Sequence, residues 1–479
     1  DVPVFSADDD VVASGAGDVT IDQGGQTVSL PLQLDHRGTF LVQVAFDGLG
    51  RAETMLARVP DVVALTGPRG RTPFGGTTLI TPDDPVRLEA ALKAWRRLGW
   101  SASRTFVKWQ DLEPRPGEFD LEPWDVPLRL AEQYGIDTVL TINTPPVWAR
   151  RPDQASEWAA VPRREAWENV VRAATTRFKG RLYGWEWLNE ITPGGWWRGS
   201  AVEYVELCRR GTETARAIDP KLRFLLAGGL WPRSFRLDVL AAGGGKYVDV
   251  LPLHYNSGPG VREARADLDS FGLAHVAIWD DESSRSLVLW QDPLEKDLTD
   301  TTQTAWLMEQ WAGELAAGAE RLIWFGNRSC VGDYSPFLDD LTPRPVAAAL
   351  AVFASKLHGA RPLGSFRLGT GDSWHLFDRN GRAVLVARAT SPETVHLGLG
   401  KLESALVTDP QGNETRVAAR DGAAAIRLDP LGCYVELESL DPVRLLAAVD
   451  VGRPETGTLT SSDRGLVDAV AAQRMTVLR

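Results

Sequence analysis

The sequence predicts an α/β protein, a (β/α)8 TIM barrel flanked by N-terminal and C-terminal β-sandwich domains. Three observations carry this reading. The chain has 479 residues, more than one compact core. Its middle alternates short apolar runs with helical stretches at βαβ spacing. At both ends the helical period gives way to short alternating strands separated by turn residues.

Residues 1–72 form the first expected domain. Thr27–Leu34 and Thr39–Phe46 flank the turn-forming tetrad Asp35-His36-Arg37-Gly38, which reads as an antiparallel hairpin. Gly67-Pro68-Arg69-Gly70 then marks a boundary. Residues 73–357 form the expected barrel. Its strands are read at Gly76–Leu79, Ser103–Trp109, Thr138–Asn143, Trp185–Asn189, Arg223–Gly228, Val248–His254, His275–Trp279 and Arg321–Phe325. Helices are read at Pro85–Leu98, Pro123–Gln133, Arg164–Phe178, Ala201–Ile218, Ser234–Ala242, Thr301–Ala317 and Arg344–Lys356. Eight such strands over roughly 280 residues fit a closed barrel. An open doubly wound sheet would need fewer strands and a glycine-rich phosphate turn, which is missing. Residues 358–440 return to short strands such as Ala383–Arg388 and Thr394–Leu397, with turns at Arg379-Asn380-Gly381 and Pro410-Gln411-Gly412-Asn413, and read as a second β-sandwich. In the tail, 441–479, Leu466–Ala472 has a helical pattern.

Composition narrows the chemistry. The hydrophobic fraction of 43% and charged fraction of 24% are those of a soluble globular protein. A net charge of −12 without a Lys/Arg block disfavours nucleic acid and anionic membranes as partners. No apolar run approaches the length of a bilayer span. The chain opens on Asp1-Val2-Pro3; loss of a secretion signal would leave such an end, as would trimming, and the expectation leans to a secreted or cell-envelope protein. Cys208, Cys330 and Cys433 are far apart, and the six histidines form no metal-ligand spacing, so neither a disulfide framework nor a metal or other cofactor is expected. Eighteen tryptophans, several in loops, offer the flat apolar faces with an N–H handle on which pyranose rings stack.

Barrel enzymes carry their reactive groups at the C-terminal strand ends. Reading those ends collects Arg104, Lys108 and Trp109 on strand 2, Asn143 on strand 3, and Asn189 and Glu190 on strand 4. Strands 6, 7 and 8 add His254 and Tyr255, Asp280-Asp281-Glu282, and Trp324. Carboxylates on strands 4 and 7 face each other across the mouth. Glycoside hydrolysis needs that pairing: one acid protonates the leaving oxygen, and one carboxylate attacks or directs water.

The barrel segment resembles the clan A glycoside hydrolases. Trp185-Glu186-Trp187-Leu188-Asn189-Glu190 is similar to the (F/W)-E-x-x-N-E segment of families 39 and 5. The stretch from Val107 to Asp120 is similar to an element of families 10, 39 and 42, and Thr144-Pro145-Pro146-Val147-Trp148 to the strand 3 loop of families 39 and 42. Family 39 is the nearest pattern. The resemblance implies a retaining enzyme cleaving β-type O-glycosidic bonds in plant or microbial oligo- or polysaccharides by double displacement. It makes Glu190 the acid/base, Glu282 the nucleophile and Asn189 the partner of the sugar 2-hydroxyl. Arg104 would steady the nucleophile, Tyr255 or His254 would donate a hydrogen bond to it, and Trp324 would be the stacking platform. Lys108 shares a face with Arg104 and could reach substrate hydroxyls. The usual Thr-Glu at the nucleophile is replaced by Asp281-Glu282, so Asp280 and Asp281 compete with Glu282 for that role. Glu186 reads as a barrel-interior residue. Trp148, Trp158, Trp196, Trp197 and Trp290 lie in loops over the mouth, as sugar subsites or as loop packing. Two alternatives share these residues, a transglycosylase and a catalytically inactive carbohydrate-binding barrel.

Overall fold

The computed structural model describes residues 2–5, 11–15, 33–46, 50–77, 80–82, 84–285, 301–326, 334–368 and 373–441. They fall into two compact units, one of residues 63–284 and 310–327, the other of residues 1–62, 285–309 and 328–479.

The first unit holds a closed barrel of eight parallel strands: β1 (Phe74–Thr77), β2 (Ala102–Lys108), β3 (Asp137–Asn143), β4 (Gly184–Trp187), β5 (Arg223–Leu225), β6 (Val250–His254), β7 (Ala277–Ser283) and β8 (Arg321–Trp324). Each pairs with its neighbour in sequence, and β8 closes on β1. The longer helices of the whole chain, in order, are α1 (Pro85–Arg97), α2 (Asp125–Gln133), α3 (Arg164–Phe178), α4 (Ala201–Ile218), α5 (Arg233–Ala241), α6 (Gly258–Ser270), α7 (Thr302–Ala316) and, in the second unit, α8 (Pro345–Leu357). Local chemistry starts several of them. Asp84 accepts from the Val86 amide ahead of Pro85, and Ser200 and Glu203 form a reciprocal capping box on α4.

Two expectations need correction. Helix α6 was absent from the sequence reading, because its Gly-Pro-Gly opening reads as a turn although Pro sits well in a first helical turn. Strand β7 runs four residues past Trp279, to Ser283, and its register with both neighbours shifts near Asp281 and Glu282. The first arm of the expected N-terminal hairpin lies largely outside the described residues, as do Trp290, Cys330 and Leu466–Ala472. No helix among the described residues is long and apolar enough to cross a membrane.

The alternation in β4 decides what faces inward. Trp185 and Trp187 stack 6.0 Å apart on one face, and Trp187 Nε1 donates to Thr212 Oγ1 of α4 at 2.9 Å. Trp167 of α3 meets Trp187 edge-on at 5.4 Å. With both tryptophans committed to the helices, Glu186 between them points into the barrel.

The second unit contains a four-stranded antiparallel sheet in which Gly38–Phe46 pairs with Gly50–Arg58 along its full length. It also holds a six-stranded and a two-stranded sheet from 361–437. Arg379 and Arg382 face each other across Asn380 and Gly381, both at positive φ, which is the geometry of a tight hairpin. The sheets at 361–437 enclose a core that includes Trp374, Leu376, Leu385, Val395 and Ile426. Lys356 of α8 reaches Glu414 at 3.1 Å and also pairs with Glu436.

Candidate active site

Arg104 on β2 is the hub of the barrel mouth, and it is buried. Its Nε and Nη2 donate to the two Glu186 oxygens at 2.6 and 2.7 Å. Nη2 also donates to Asn189 Oδ1 at 2.6 Å, and Nη1 to Glu282 Oε2 at 2.7 Å. Asp281 Oδ2 lies 3.2 Å from Nε. Glu186 receives two further donors, Thr141 Oγ1 and the Gly228 amide at 2.8 Å. Burial pushes the Glu186 carboxyl above its ordinary range, against the downward pull of Arg104 and these hydrogen bonds. The guanidinium on Asn189 Oδ1 fixes that amide's orientation, leaving its NH2 to turn elsewhere.

The backbone leaves regular strand geometry at the site. Leu188, Glu190 and Tyr255 have φ of 71°, 48° and 47°. Non-glycine residues in the left-handed region are costly and concentrate where function requires a particular aim. The Glu190 amide donates to the Gly228 carbonyl at 2.9 Å, so Gly228 supports both Glu186 and Glu190. The Tyr204 hydroxyl bridges the open ends of β4 and β5, donating to the Trp187 carbonyl at 3.0 Å and accepting from the Ala227 amide at 2.6 Å.

The irregularity in β7 separates three consecutive acids. Simple alternation would put Asp280 and Glu282 on one face. Instead Asp280 accepts from the Asn256 amide at 3.0 Å and neighbours the Glu314 carboxyl of α7. Asp281 sits beneath Arg104 and His254, and Glu282 reaches Arg104 at the mouth. A bulge of this kind lets successive side chains share a face. Burial pushes Asp280 up to about 7 and, with Asp280 beside it, drives the Glu314 carboxyl up as well.

His254 is fully enclosed and faces carboxylates from both nitrogens. Nδ1 is 3.2 Å from Glu190 Oε1 and 3.9 Å from Glu282 Oε2, and Nε2 is 3.2 Å from Asp281 Oδ1. Burial opposes a charge on the ring, but Glu282, Asp281 and Glu190 outweigh it and push the imidazole up to about 10. Reciprocally, the hydrogen bond from His254 holds the Glu190 carboxyl below its ordinary range, against the upward pull of burial. Oxygens of Glu190 and Glu282 and a ring nitrogen of His254 all lie within 4.8 Å of one another. The same spacing holds for Glu186, His254 and Asp281, a donor set that could hold a cation. The Arg104 guanidinium already supplies positive charge to Glu186, Asp281 and Glu282 there.

The remaining expected residues divide. Lys108 is exposed at the end of β2, opposite the half-buried Asn143 of β3. Asn143, Asn189, Trp158 and Trp196 line a shallow crevice. Trp158 and Trp196 meet edge-on at 4.9 Å and are 44% and 47% exposed, so this aromatic corner keeps surface open to a ligand. Trp148 is half-buried and packs edge-on against Trp109, and Trp197 is buried against Tyr204. Tyr255 is an exposed rim residue whose amide donates to the Glu282 carbonyl at 2.9 Å.

The platform expected at Trp324 is not there. Its side chain is fully buried, edge-on to Trp311 of α7 at 5.4 Å, because this position of β8 faces the helix layer. Glu186 faces the barrel interior as expected, and Asp281, expected as a rival to Glu282, lies beside Arg104 and His254. Trp231 stands outside the expected set. Trp231, 40% exposed and edge-on to His254 at 6.0 Å, lies in the loop after β5; its position at a strand end was the available signal.

No family model matches this chain. Among solved structures it is similar to a family 39 glycoside hydrolase from the gut symbiont Bacteroides cellulosilyticus WH2, with TM-score 0.70 and 16% identity over 85% of this chain and 89% of that one. A family 39 β-xylosidase from Caulobacter crescentus matches at TM-score 0.52 and 15% identity, over 76% of this chain and 95% of that one. A family 30 subfamily 8 xylanase from Clostridium acetobutylicum matches at TM-score 0.50 and 13% identity, over the same shares. At these identities the likeness establishes a shared fold: the chain is built as these clan A hydrolases are.

Two outcomes follow from the geometry. A Cβ on Gly228 would meet His254 Nε2 at 2.1 Å and Asp281 Oδ1 at 2.7 Å. Gly228→Ala should therefore displace His254 in a folded protein, and any turnover by the site should fall on the order of a hundredfold, read by steady-state kinetics beside circular dichroism. For Asp280 and Glu314, folded pKa values raised above the unfolded ones give stability that is full below the unfolded values and lost as pH rises through about 7. Glu314→Gln should flatten that loss. Its melting temperature should exceed the parent's by about 2–4 °C per kcal/mol recovered, a gain growing from pH 4 to pH 8 in thermal melts.

Proposed function

We propose that this chain is a retaining glycoside hydrolase acting on β-type O-glycosidic bonds by double displacement. The observation that carries the reading is the approach of Glu190 and Glu282 to within 4.8 Å, oxygen to oxygen, at the ends of β4 and β7. Retaining enzymes hold their carboxyls about 5–5.5 Å apart, whereas inverting ones leave about 6.5–9.5 Å for a water.

On this reading Glu282 attacks the anomeric carbon while Glu190 delivers a proton to the departing oxygen. Water then adds to the glycosyl-enzyme, with Glu190 taking its proton. Arg104 aims Glu282 through the 2.7 Å contact at Nη1. Because Asn189 Oδ1 is occupied by Arg104, its NH2 is the group that meets the sugar 2-hydroxyl. The likeness in fold to family 39 and family 30 structures supports the same class. The Trp158–Trp196 corner and Lys108 supply contacts for flanking sugar.

The test is a panel of aryl β-glycosides (xylosides, arabinosides, galactosides, glucosides and mannosides) with polysaccharides. Glu282→Gly should lose turnover and regain it with azide, releasing the α-glycosyl azide. Recovery by Asp280→Gly or Asp281→Gly instead would move the nucleophile. Activity with inversion of the product's anomeric configuration would contradict double displacement.

A further inference from the structure

We propose that Asp281, His254 and Glu190 form a proton relay, in which the His254 imidazolium stores the proton that Glu190 delivers to the leaving oxygen. The proposal rests on the glycosidase reading above and goes beyond it, since it assigns work to a residue standing where the resembling families carry Thr.

The surroundings of His254 favour a doubly protonated ring. Both ring nitrogens stand 3.2 Å from a carboxylate oxygen, Glu190 Oε1 on one side and Asp281 Oδ1 on the other. A neutral imidazole has one N–H and one lone pair, and would turn the lone pair on one of those anions. The imidazolium donates to Glu190 from Nδ1 and sets its positive charge within ion-pair range of Asp281 at Nε2. Arg104 and Glu282 face the ring as well, Glu282 at 3.9 Å from Nδ1, and Asp280 acts on it through space. Gly228 and Gly229 cover its other side without adding charge, and Trp231 and Tyr255 meet it edge-on. Carboxylates outnumber cations around the ring, in a buried setting that amplifies the imbalance.

Glu190 therefore rests as a carboxylate, and a general acid needs a proton. In the first half-reaction the His254 Nδ1–H bond breaks as a Glu190 Oε–H bond forms. That proton passes to the leaving oxygen as its bond to the anomeric carbon breaks and the Glu282–carbon bond forms. The transfer is timed by charge. When Glu282 becomes an ester it no longer holds the proton on His254, so the ring releases it in the step that consumes it. In the second half-reaction water's proton goes to Glu190 and returns to Nδ1 as Glu282 ionises again. Asp281 stays beside Nε2 throughout, at 3.2 Å, and is a positioning residue.

Three measurements test the relay. In ¹⁵N NMR of the parent protein, both His254 ring nitrogens should be protonated at pH 8, identified by loss of the signal in His254→Asn. Asp281→Asn removes the anchoring anion, so the alkaline limb of kcat/KM should move to lower pH. His254→Asn keeps a donor toward Glu190 but stores no proton. It should lose about 10²-fold or more on alkyl glycosides and far less on dinitrophenyl glycosides, whose leaving group needs no proton. An active parent enzyme with a neutral His254 at pH 8 overturns the relay alone. So does an unmoved alkaline limb in Asp281→Asn, or equal losses on both leaving groups in His254→Asn. A folded parent protein inert on every glycoside overturns the glycosidase reading and the relay with it.

Discussion

The barrel mouth depends on one buried cation. Arg104 leaves water entirely, and burying a charge is tolerable only where geometry and hydrogen bonding compensate it. Its compensation comes from two other strands: Glu186 of β4 with Asn189 just beyond it, and Asp281 and Glu282 of β7. Removing a partner of such a hub leaves an uncompensated buried charge, a loss of about 3–5 kcal/mol in comparable pairs. The same contacts that satisfy Arg104 aim Glu282 and orient the Asn189 amide. Stability and site geometry are therefore one requirement.

Satisfying that hub calls for backbone that a regular barrel does not supply. Strand alternation offers every second side chain to the interior, yet Asp281 and Glu282 are both needed there. The register shift in β7 brings in both and sends Asp280 to Glu314. Left-handed residues at Leu188, Glu190 and Tyr255 make the corresponding turns on β4 and β6. Gly228 lets the β5 end approach closely enough to serve Glu186 and Glu190 while leaving room for His254. Irregular geometry is thus gathered at the mouth, and the long regular pairing of β2 with β3 carries none of it.

Features with a strong local period were legible. Helices α3 and α4 run over the residues their apolar spacing indicated, and the strand ends named Arg104, Asn189, Glu190, His254 and Glu282, which the structure brings together. Misreadings came from information that period does not carry. The Gly-Pro-Gly opening concealed α6. The face of β8 that Trp324 occupies is set by packing on α7, where Trp311 meets it edge-on. Asp281 read as a rival nucleophile because a bulge leaves no signature in residue types. Its tie to His254 is visible only in three dimensions.

The account stands or falls on Glu282 as the group that attacks the sugar. The direct measurement is covalent trapping with a panel of 2-deoxy-2-fluoro-β-glycosyl fluorides, followed by proteolysis and mass spectrometry of the labelled peptide. The expected result is one fluoroglycosyl group per chain, esterified to Glu282, with Glu190 unlabelled. A label on Asp280, Asp281 or Glu190, or inversion without a trapped intermediate, would contradict it.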